Sequence, residues 1–347
     1  MHRAIRRIAR TIAAAGLIAF TGMMPQGCGG AGGTPAALTR REVWGFTAFW
    51  DSASARSVAR NGAALDALVT TWIALDTAGG LPQTLYLDSA DSARVPARRF
   101  ALVTSYLYPS FHAATIRRLA ANPRMLSRVA GSVAATMTTA LHRGAVLDFE
   151  ALEADDLPAL LAVVRALADT LHARQLGPVV VAVPAADTLA YPGRALVAAG
   201  ADFILPMLYD QHWAGGTPGP IAEPEWVERT LRLRIGEVGT ERIVAGLPLY
   251  GYRWPAPGKG VTVTFAEAGA LNGTAVPLVR DSATGSLRGA LRSGGEVWVT
   301  DATLLGRLVS VAERNGVKRF ALWYIGQEDP AVWQAVLARP GATRIPH

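Results

Sequence analysis

Eight short runs of apolar residues recur along the chain, and each is typical of a buried strand. They occupy residues 43–50, 67–75, 100–107, 144–150, 178–184, 202–209, 243–250 and 319–325. Most are followed by windows with apolar residues at helical spacing, such as residues 115–143 and 156–175. Strands that are apolar on both faces and alternate with helices predict a parallel sheet.

Eight repeats of a strand and a helix predict an α/β fold, a closed (β/α)8 TIM barrel. An open doubly wound sheet is the alternative, but the first strand is followed by DSASARS rather than by a glycine-rich phosphate turn. The interval before the last strand contains the short β-rich segments VTVTF, GSLRGAL and GEVWVTD. We therefore expect a small α+β insertion between strands 7 and 8, at about residues 255–301, that forms one wall of a groove.

The first 27 residues have the composition of a signal or lipoprotein-type export segment. The basic start MHRAIRRIAR precedes the apolar stretch TIAAAGLIAFTGMM, which is short for a membrane span. Cys28, the single cysteine, follows a glycine, as in bacterial lipoprotein sites where the thiol is acylated. A plain cleaved signal and an uncleaved anchor are the alternatives. We expect an exported protein, either periplasmic, an envelope lipoprotein or secreted, with a linker at residues 28–40 and the barrel at residues 41–347.

Composition indicates a folded protein and excludes several kinds of partner. Of the 347 residues, 50% are hydrophobic and 18% are charged. The formal net charge of +7 includes four arginines of the export segment, which leave 30 basic and 27 acidic residues elsewhere. The basic residues are scattered, so no nucleic-acid partner is expected. No cluster has metal-ligand spacing, so we expect no metal and no cofactor. We expect a monomer that meets a membrane only through a lipid anchor.

The fourth apolar run, GAVLDFE, ends in two carboxylates where a purely structural strand would stay apolar. Side chains alternate along a strand, so Val146, Asp148 and Glu150 share one face while Leu147 and Phe149 share the other. The two carboxylates then lie about 7 Å apart along the strand, at the barrel mouth. Two like charges in a partly enclosed place raise one pKa, and glycosidic bond cleavage requires a carboxylic acid that is protonated near neutral pH. Three further acidic residues are expected to be solvated at a helix start: Glu153, Asp155 and Asp156.

Several segments together resemble glycoside hydrolase family 18, the chitinase-like hydrolases. Gly144, Asp148 and Glu150 match the end of the family's fourth-strand signature. The segments PMLYDQHW, GLPLYGYRW and ALWYIGQEDPAVW are similar to its sixth, seventh and eighth strands, and the opening WGFTAFWDSASARS is also similar. The resemblance covers residues 43–335 and is closest to bacterial members linked to envelope glycans.

The resemblance implies a retaining, substrate-assisted hydrolase of β-linked N-acetylglucosamine-containing glycans, either chitin-like or of peptidoglycan type. Glu150 would then act as acid and base, and Asp148 would hold the acetamido N–H of the substrate. Tyr209 and Asp210 would contact the same acetamido group, and Trp323 would form the apolar floor under the sugar. Further candidates for substrate contact are Trp50, Trp213 and Tyr250.

The chain departs from the family at two positions before Asp148. Arg143 and Val146 stand where the family has two earlier Asp residues. Val146 replaces a buried polar residue that supports Asp148 in relatives, so we expect reduced activity or a shifted pH range. The alternative function is a non-catalytic, chitinase-like glycan-binding protein. Such proteins usually lose the acid, and because Glu150 is present the sequence favours an enzyme.

Overall fold

The structure is a computed structural model, and it describes residues 35, 38–76, 81–86, 97–271 and 277–335. The predicted export segment, Cys28 and most of the predicted linker lie outside the described residues, so those predictions stay predictions. None of the helices in the described part of the chain has both the length and the apolar character that crossing a membrane requires.

Eight parallel strands form a closed barrel, which confirms the predicted fold class. They are β1 (Glu42–Phe46), β2 (Ala67–Ala74), β3 (Arg98–Thr104), β4 (Ala145–Asp148), β5 (Val179–Pro184), β6 (Phe203–Met207), β7 (Ala245–Pro248) and β8 (Arg319–Trp323). Each strand pairs with the next one in the chain, and β8 pairs with β1 to close the barrel, with Val43 opposite Phe320.

Helices follow seven of the eight strands within the described residues. The helices are α1 (Ser52–Asn61), α2 (Ala113–Ala120), α3 (Pro123–Thr139), α4 (Leu157–Ala173), α5 (Gly193–Ala198), α6 (Pro224–Val238), α7 (Phe265–Ala270), α8 (Ala302–Arg314) and α9 (Val332–Ala335). Short 3-10 segments cover Gly62–Ala64, Ala154–Asp156 and Thr240–Arg242. After β2 the chain forms an edge strand, Gln83–Tyr86, antiparallel to β2, and after β3 it forms a two-stranded hairpin, Tyr106–Leu107 and Ser110–Phe111.

The long helical window predicted at residues 115–143 is two helices rather than one. The break falls at Asn122, whose side chain accepts a hydrogen bond from the Met125 N–H and so caps α3. Pro123 occupies the first turn of α3, where its missing N–H costs nothing. Asparagine followed by proline is thus a start signal inside an otherwise continuous apolar period.

The acidic residues before α4 cap the helix, but one of them is not solvated as predicted. Glu153 and Asp156 form a capping box at the 3-10 turn that leads into α4. Asp156 is buried, and both of its carboxylate oxygens accept hydrogen bonds from the Arg117 side chain of α2. The prediction of a solvated Asp156 was wrong because the sequence does not show that α2 places an arginine beside it.

Buried side chains pack in two layers, one inside the barrel and one between the barrel and the helices. The inner layer includes Trp44, Phe100, Val146 and Phe203. Leu147 lies in the outer layer and contributes to a much larger apolar cluster with the helices. Alternate residues of β4 therefore face opposite layers, as the strand periodicity predicts.

The predicted insertion between strands 7 and 8 is a five-stranded antiparallel sheet with α7. Its strands are Gly251–Trp254, Val261–Val263, Val279–Arg280, Leu287–Ala290 and Glu296–Val299. The sheet begins a few residues before the predicted start at about residue 255, because the chain continues from the end of β7 directly into it. Gly251 makes this possible, since a side chain there would lie 2.2 Å from the Trp298 carbonyl oxygen.

The segment GQEDPAVW after β8 ties the end of the described chain to α1. The Glu328 carboxylate accepts hydrogen bonds from the Ser57 hydroxyl of α1 and from the Trp333 indole N–H, the latter at 2.9 Å. The Asp329 carboxylate accepts from the Ala302 N–H at the start of α8. The contacts of these two carboxylates therefore stabilise the fold.

Candidate active site

A cavity of about 670 Å³ opens at the carboxyl ends of the barrel strands, where active sites of this fold lie. Its wall brings together six of the predicted site residues from four different strands or the loops that follow them. These six are Trp50, Asp148, Glu150, Tyr209, Asp210 and Trp323. The remaining two, Trp213 and Tyr250, are not among the residues that line it.

Asp148 and Glu150 point into this cavity from the end of β4. Phe149, between them, is buried in the outer layer, so the alternation predicted for this segment is confirmed. Asp148 is only 8% exposed, while Glu150 is partly exposed. The pair therefore sits at the boundary between the barrel interior and the open cleft.

Burial raises the pKa of both carboxyls, and the neighbouring Asp148 raises that of Glu150 further. For Glu150 burial acts first, followed by the negative charge of Asp148, hydrogen bonding to Asp148 and the charge of Asp210. For Asp148 burial raises the pKa, whereas hydrogen bonds from Thr104 and Glu150 lower it. The two groups thus hold one proton near neutral pH, and the proton resides on Glu150.

Thr104 is a supporting residue that the sequence analysis missed. Its hydroxyl lies 3.4 Å from Asp148 Oδ2, and it also accepts the Tyr106 N–H at 3.0 Å. Thr104 ends β3 and lies directly opposite Asp148 of β4 in the strand register. The available signal was a polar residue at the end of a strand adjacent to the one that carries the carboxylates.

Val146 leaves Asp148 with less support from inside the barrel, as the sequence departure implies. Its side chain is completely buried and apolar, and it cannot donate a hydrogen bond. Asp148 Oδ1 is buried without an N–H or O–H donor from the described residues. A protonated Glu150 is the group that would donate to this carboxylate.

The Asp210 side chain accepts hydrogen bonds from two tyrosines. Its Oδ1 atom accepts hydrogen bonds from the hydroxyls of Tyr250 and Tyr252, the latter at 3.1 Å. Tyr250, which the sequence analysis proposed as a substrate contact, is 3% exposed and lies behind Asp210. Tyr252, which was not predicted, comes from the first strand of the insertion. Burial raises the pKa of Asp210, whereas the hydrogen bonds from the two tyrosine hydroxyls lower it.

Tyr209 presents a phenol that stays protonated. Burial, followed by the charges of Glu150 and Asp148, raises its pKa well above the ordinary value of tyrosine. Its ring packs against Tyr250 with the ring centres 6.2 Å apart. Tyr209 is therefore a hydrogen-bond donor fixed beside the two carboxyls.

Aromatic rings form the floor and one rim of the cavity. Trp323 packs edge to face against Phe46 at 5.3 Å and lies 6.2 Å from Trp72. Trp50 packs on Trp72 at 5.0 Å and is 56% exposed. Such an arrangement offers flat apolar faces to a sugar ring. Trp72 also lines the cavity. The sequence predicts it only as part of a strand, because nothing in its sequence neighbourhood distinguishes it from a core residue.

Trp213 lies on the loop after β6, outside the cavity wall. It is largely exposed, and its ring covers Gly215, where a side chain would lie 2.2 Å from it. Because Trp213 does not line the cavity, its contact with substrate remains a prediction.

The described residues of the cavity wall carry negative charge and no positive charge. Besides the pair on β4 and Asp210, Asp187 lines it from the loop after β5. No Lys, Arg or His is found among its lining residues in the described part of the chain. Within the same described residues no group of three His, Cys, Asp or Glu side chains could hold a metal ion.

Comparison with known proteins finds glycosylases, chitinases and cortex-lytic enzymes among the similar proteins. No model of a protein family matches the chain. A curated relative, named as a sporulation-specific glycosylase of Bacillus subtilis, is 29% identical over 174 residues, which are 48% of this chain and 40% of the relative. The match therefore spans less than half of that relative's length.

Solved structures share the fold over most of their length. A chitinase from Chromobacterium violaceum superposes with a TM-score of 0.74 at 23% identity, covering 85% of this chain and 98% of that one. A spore cortex-lytic enzyme of Bacillus megaterium superposes with a TM-score of 0.75 at 19% identity, covering 86% and 74%. These likenesses confirm the (β/α)8 barrel and the predicted resemblance to chitinase-like hydrolases.

Proposed function

We propose that this protein is a family 18 glycoside hydrolase that cleaves β-linked N-acetylglucosamine-containing glycans with retention of configuration. The observation that carries the proposal is the carboxyl pair at the end of β4, in which burial and the charge of Asp148 raise the pKa of Glu150 inside an aromatic-floored cleft. The similarity to glycosylases, chitinases and cortex-lytic enzymes supports a glycosidase.

In the first chemical step Glu150 gives its proton to the glycosidic oxygen as the bond to the anomeric carbon breaks. The acetamido oxygen of the same sugar forms the new bond to that carbon, so the protein supplies no nucleophile. Asp148 accepts a hydrogen bond from the acetamido N–H and stabilises the positive charge of the cyclic intermediate. Tyr209 donates its hydroxyl to the acetamido group, and Asp210 lies beside it.

In the second step a water molecule attacks the anomeric carbon from the side the leaving group has vacated. Glu150, now ionised, takes the proton from this water and returns to its starting state. The bond between carbon and the acetamido oxygen breaks, and the configuration is retained because the centre has been inverted twice.

The lining of the cavity supports a neutral glycan rather than an anionic one. Its walls are mainly apolar and aromatic, its charged groups are carboxylates, and none of its described lining residues is basic. Uncharged N-acetylated sugars satisfy this environment, whereas a carboxylate or phosphate on the sugar would meet like charge. Chitin-like chains and the glycan strands of peptidoglycan are the substrate classes to compare.

Hydrolysis of chitin oligomers and of purified peptidoglycan, followed by mass analysis of the products, tests the proposal. Glu150→Gln keeps the size of the side chain and removes its proton, so it should abolish cleavage without unfolding the protein. Glu153→Gln is the matched control, because Glu153 lies three residues away, outside the cavity, in the cap of α4. Wild-type turnover by Glu150→Gln would reject the mechanism.

A non-catalytic glycan-binding protein is the second candidate, and the residue that favours it is Val146. Valine offers no donor beneath Asp148, and a buried carboxylate oxygen of Asp148 has no donor among the described residues, which weakens the proposed catalytic pair. Oligosaccharide binding by the wild type with no cleavage over days, under conditions in which a chitinase control cleaves, would establish this alternative.

Export remains part of the proposal, carried by the basic and apolar composition of the first 27 residues. Cells that express the whole chain should hold it in the envelope or release it. Cys28→Ser separates the two anchors: loss of membrane association would indicate acylation at Cys28, and unchanged association would indicate an uncleaved apolar segment.

A further inference from the structure

We propose that Tyr191 and Arg234 form a brace that positions Glu150, an inference that rests on the proposed role of Glu150 as acid and base. No sequence motif points to either residue. Tyr191 precedes α5 and Arg234 lies on α6, and both side chains are almost completely buried. Neither lines the cavity, so they act through other residues.

The Tyr191 hydroxyl ties together the backbone on both sides of Glu150. It donates to the Phe149 carbonyl oxygen at 2.9 Å and accepts the Leu152 N–H at 3.2 Å. Between them Ala151 has a φ of 58°, a left-handed conformation that is uncommon for a residue other than glycine. One hydroxyl therefore closes the turn that carries the acid.

Arg234 holds Tyr191 and its loop through five hydrogen bonds, which use every donor of the guanidinium. Four go to carbonyl oxygens at the end of β5 and in the loop that follows it, those of Pro184, Ala185, Asp187 and Tyr191, at 2.6–3.1 Å. The fifth goes to the Glu237 carboxylate at 2.8 Å, which offsets the buried charge. Because its N–H groups donate mainly to backbone carbonyls, Arg234 fixes this segment of the chain rather than binding a ligand.

The two residues thus form one connected path from α6 to the acid. Arg234 fixes the loop whose first residues, Pro184 to Asp187, form a wall of the cavity. The same guanidinium fixes the Tyr191 carbonyl, and the Tyr191 hydroxyl fixes the turn at Glu150. A loosened brace would let the Glu150 carboxyl move away from Asp148 while the rest of the cleft remains.

The pH profile reports such a movement because burial, followed by the nearby acidic groups, raises the pKa of Glu150. The acidic groups that face it are Asp148 and Asp210, and the hydroxyls of Tyr191 and Tyr209 lie within reach of its charge. Displacement of Glu150 towards solvent, away from Asp148, would bring its pKa down towards the ordinary value for glutamate.

Tyr191→Phe removes the hydroxyl and keeps the ring, and its kinetics test the brace. We expect kcat to fall on the order of 10- to 100-fold with KM nearly unchanged, since misplacement of a reacting group by about 1 Å can cost 100-fold. The alkaline limb of the kcat profile should also move to lower pH. Thr230→Val is the matched control: it removes a buried hydroxyl of α6 that bonds only to the carbonyls of Trp226 and Val227 in its own helix.

A direct titration of Glu150 makes the test independent of turnover. In protein labelled with 13C at the glutamate side-chain carboxyl, the resonance missing from Glu150→Gln identifies Glu150, and its pKa is read in each variant. Tyr191→Phe and Arg234→Lys, which keeps the charge but has fewer donors, should both lower it, while Thr230→Val should not. An unaltered Glu150 pKa and kcat profile in Tyr191→Phe would overturn the brace. An inactive wild type with the expected shifts would overturn the proposed hydrolysis alone.

Discussion

Asp148 ends β4 and lies two residues before Glu150, and both side chains are on the wall of one cavity, where burial and then the charge of Asp148 raise the pKa of Glu150. The completely buried Phe149 between them fixes this relationship, because its side chain anchors the strand end in the outer core. The carboxyl pair is therefore a product of strand periodicity, and its chemistry follows from its burial.

The first prediction concerns the pH dependence of hydrolysis. Glu150 must be protonated to act as an acid, and its raised pKa keeps it so at neutral pH; activity is lost as pH rises through that pKa. Asp148→Asn removes the neighbouring charge, so the pKa of Glu150 falls and the alkaline limb moves to lower pH. It also removes the partner of the acetamido group, so kcat should fall on the order of 100-fold.

Profiles of kcat against pH for the wild type and Asp148→Asn check this prediction. Because the mutation lowers turnover and shifts the profile through different physical causes, both changes should appear together. A lower kcat with an unmoved alkaline limb would mean that a group other than Glu150 governs that limb.

The second prediction is a gain of function at Val146. Val146→Asn places an amide donor beneath Asp148, whose Oδ1 has no donor among the described residues. The new hydrogen bond stabilises the ionised form of Asp148 and lowers its pKa, so the carboxylate stays charged beside the positive intermediate. A hydrogen bond to a charged group of this kind should raise kcat/KM about 10-fold. Val146→Ala, which opens space without adding a donor, is the control and should show no gain. A decrease in both variants would show that packing at this position outweighs the missing hydrogen bond.

The fold was predictable because its signals are local. The eight strands were found within a few residues of their ends, since runs that are apolar on both faces are characteristic of barrel strands. The carboxyl pair was predictable for the same reason: Asp148 and Glu150 interrupt such a run at its carboxyl end. The helix break at Asn122 was missed, although asparagine followed by proline is itself a local signal.

The residues that support the site were not predictable because their partners are distant in the chain. Thr104, Tyr252 and Arg234 acquire their roles only when other strands, the insertion sheet and the loop after β5 come together. Tyr250 was assigned to the substrate on its motif alone. The chain places it behind Asp210, since Tyr250 and Tyr252 share a carboxylate oxygen from either side of Gly251.

The third prediction distinguishes two exposed tryptophans. Trp50 lines the cavity and packs on Trp72, whereas Trp213 lies outside it, although both are more than half exposed. Trp50→Ala should raise KM for chitotetraose about 5-fold by removing one stacking surface, with little change in kcat. Trp213→Ala should leave KM unchanged. Equal losses in the two variants would show that substrate extends over the loop after β6.

The fourth prediction concerns stability in acid and depends on His142. Its ring is completely buried, and its nitrogens have no hydrogen-bond partner among the described residues. Burial, assisted by the positive charge of Arg99 and opposed by the nearby Ala140 backbone, lowers the pKa of His142 to about 4. The unfolded chain therefore binds a proton more tightly than the folded one between that pKa and the ordinary value near 6.5.

The contribution of neutral His142 to the free energy of unfolding is therefore present at pH 7 and is lost as pH falls through this window. The loss amounts to about 3 kcal/mol. Urea unfolding at pH 7, 5.5 and 4.5 measures the free energy of unfolding of the wild type and of His142→Leu. The variant should lose less stability towards acid than the wild type, and the contributions of all other groups cancel in this comparison. His172→Gln is the control of opposite sign, because Asp202 raises the pKa of His172 and its contribution is lost as pH rises instead. Parallel stability curves for the wild type and His142→Leu would mean that His142 has the same pKa in the folded and the unfolded protein.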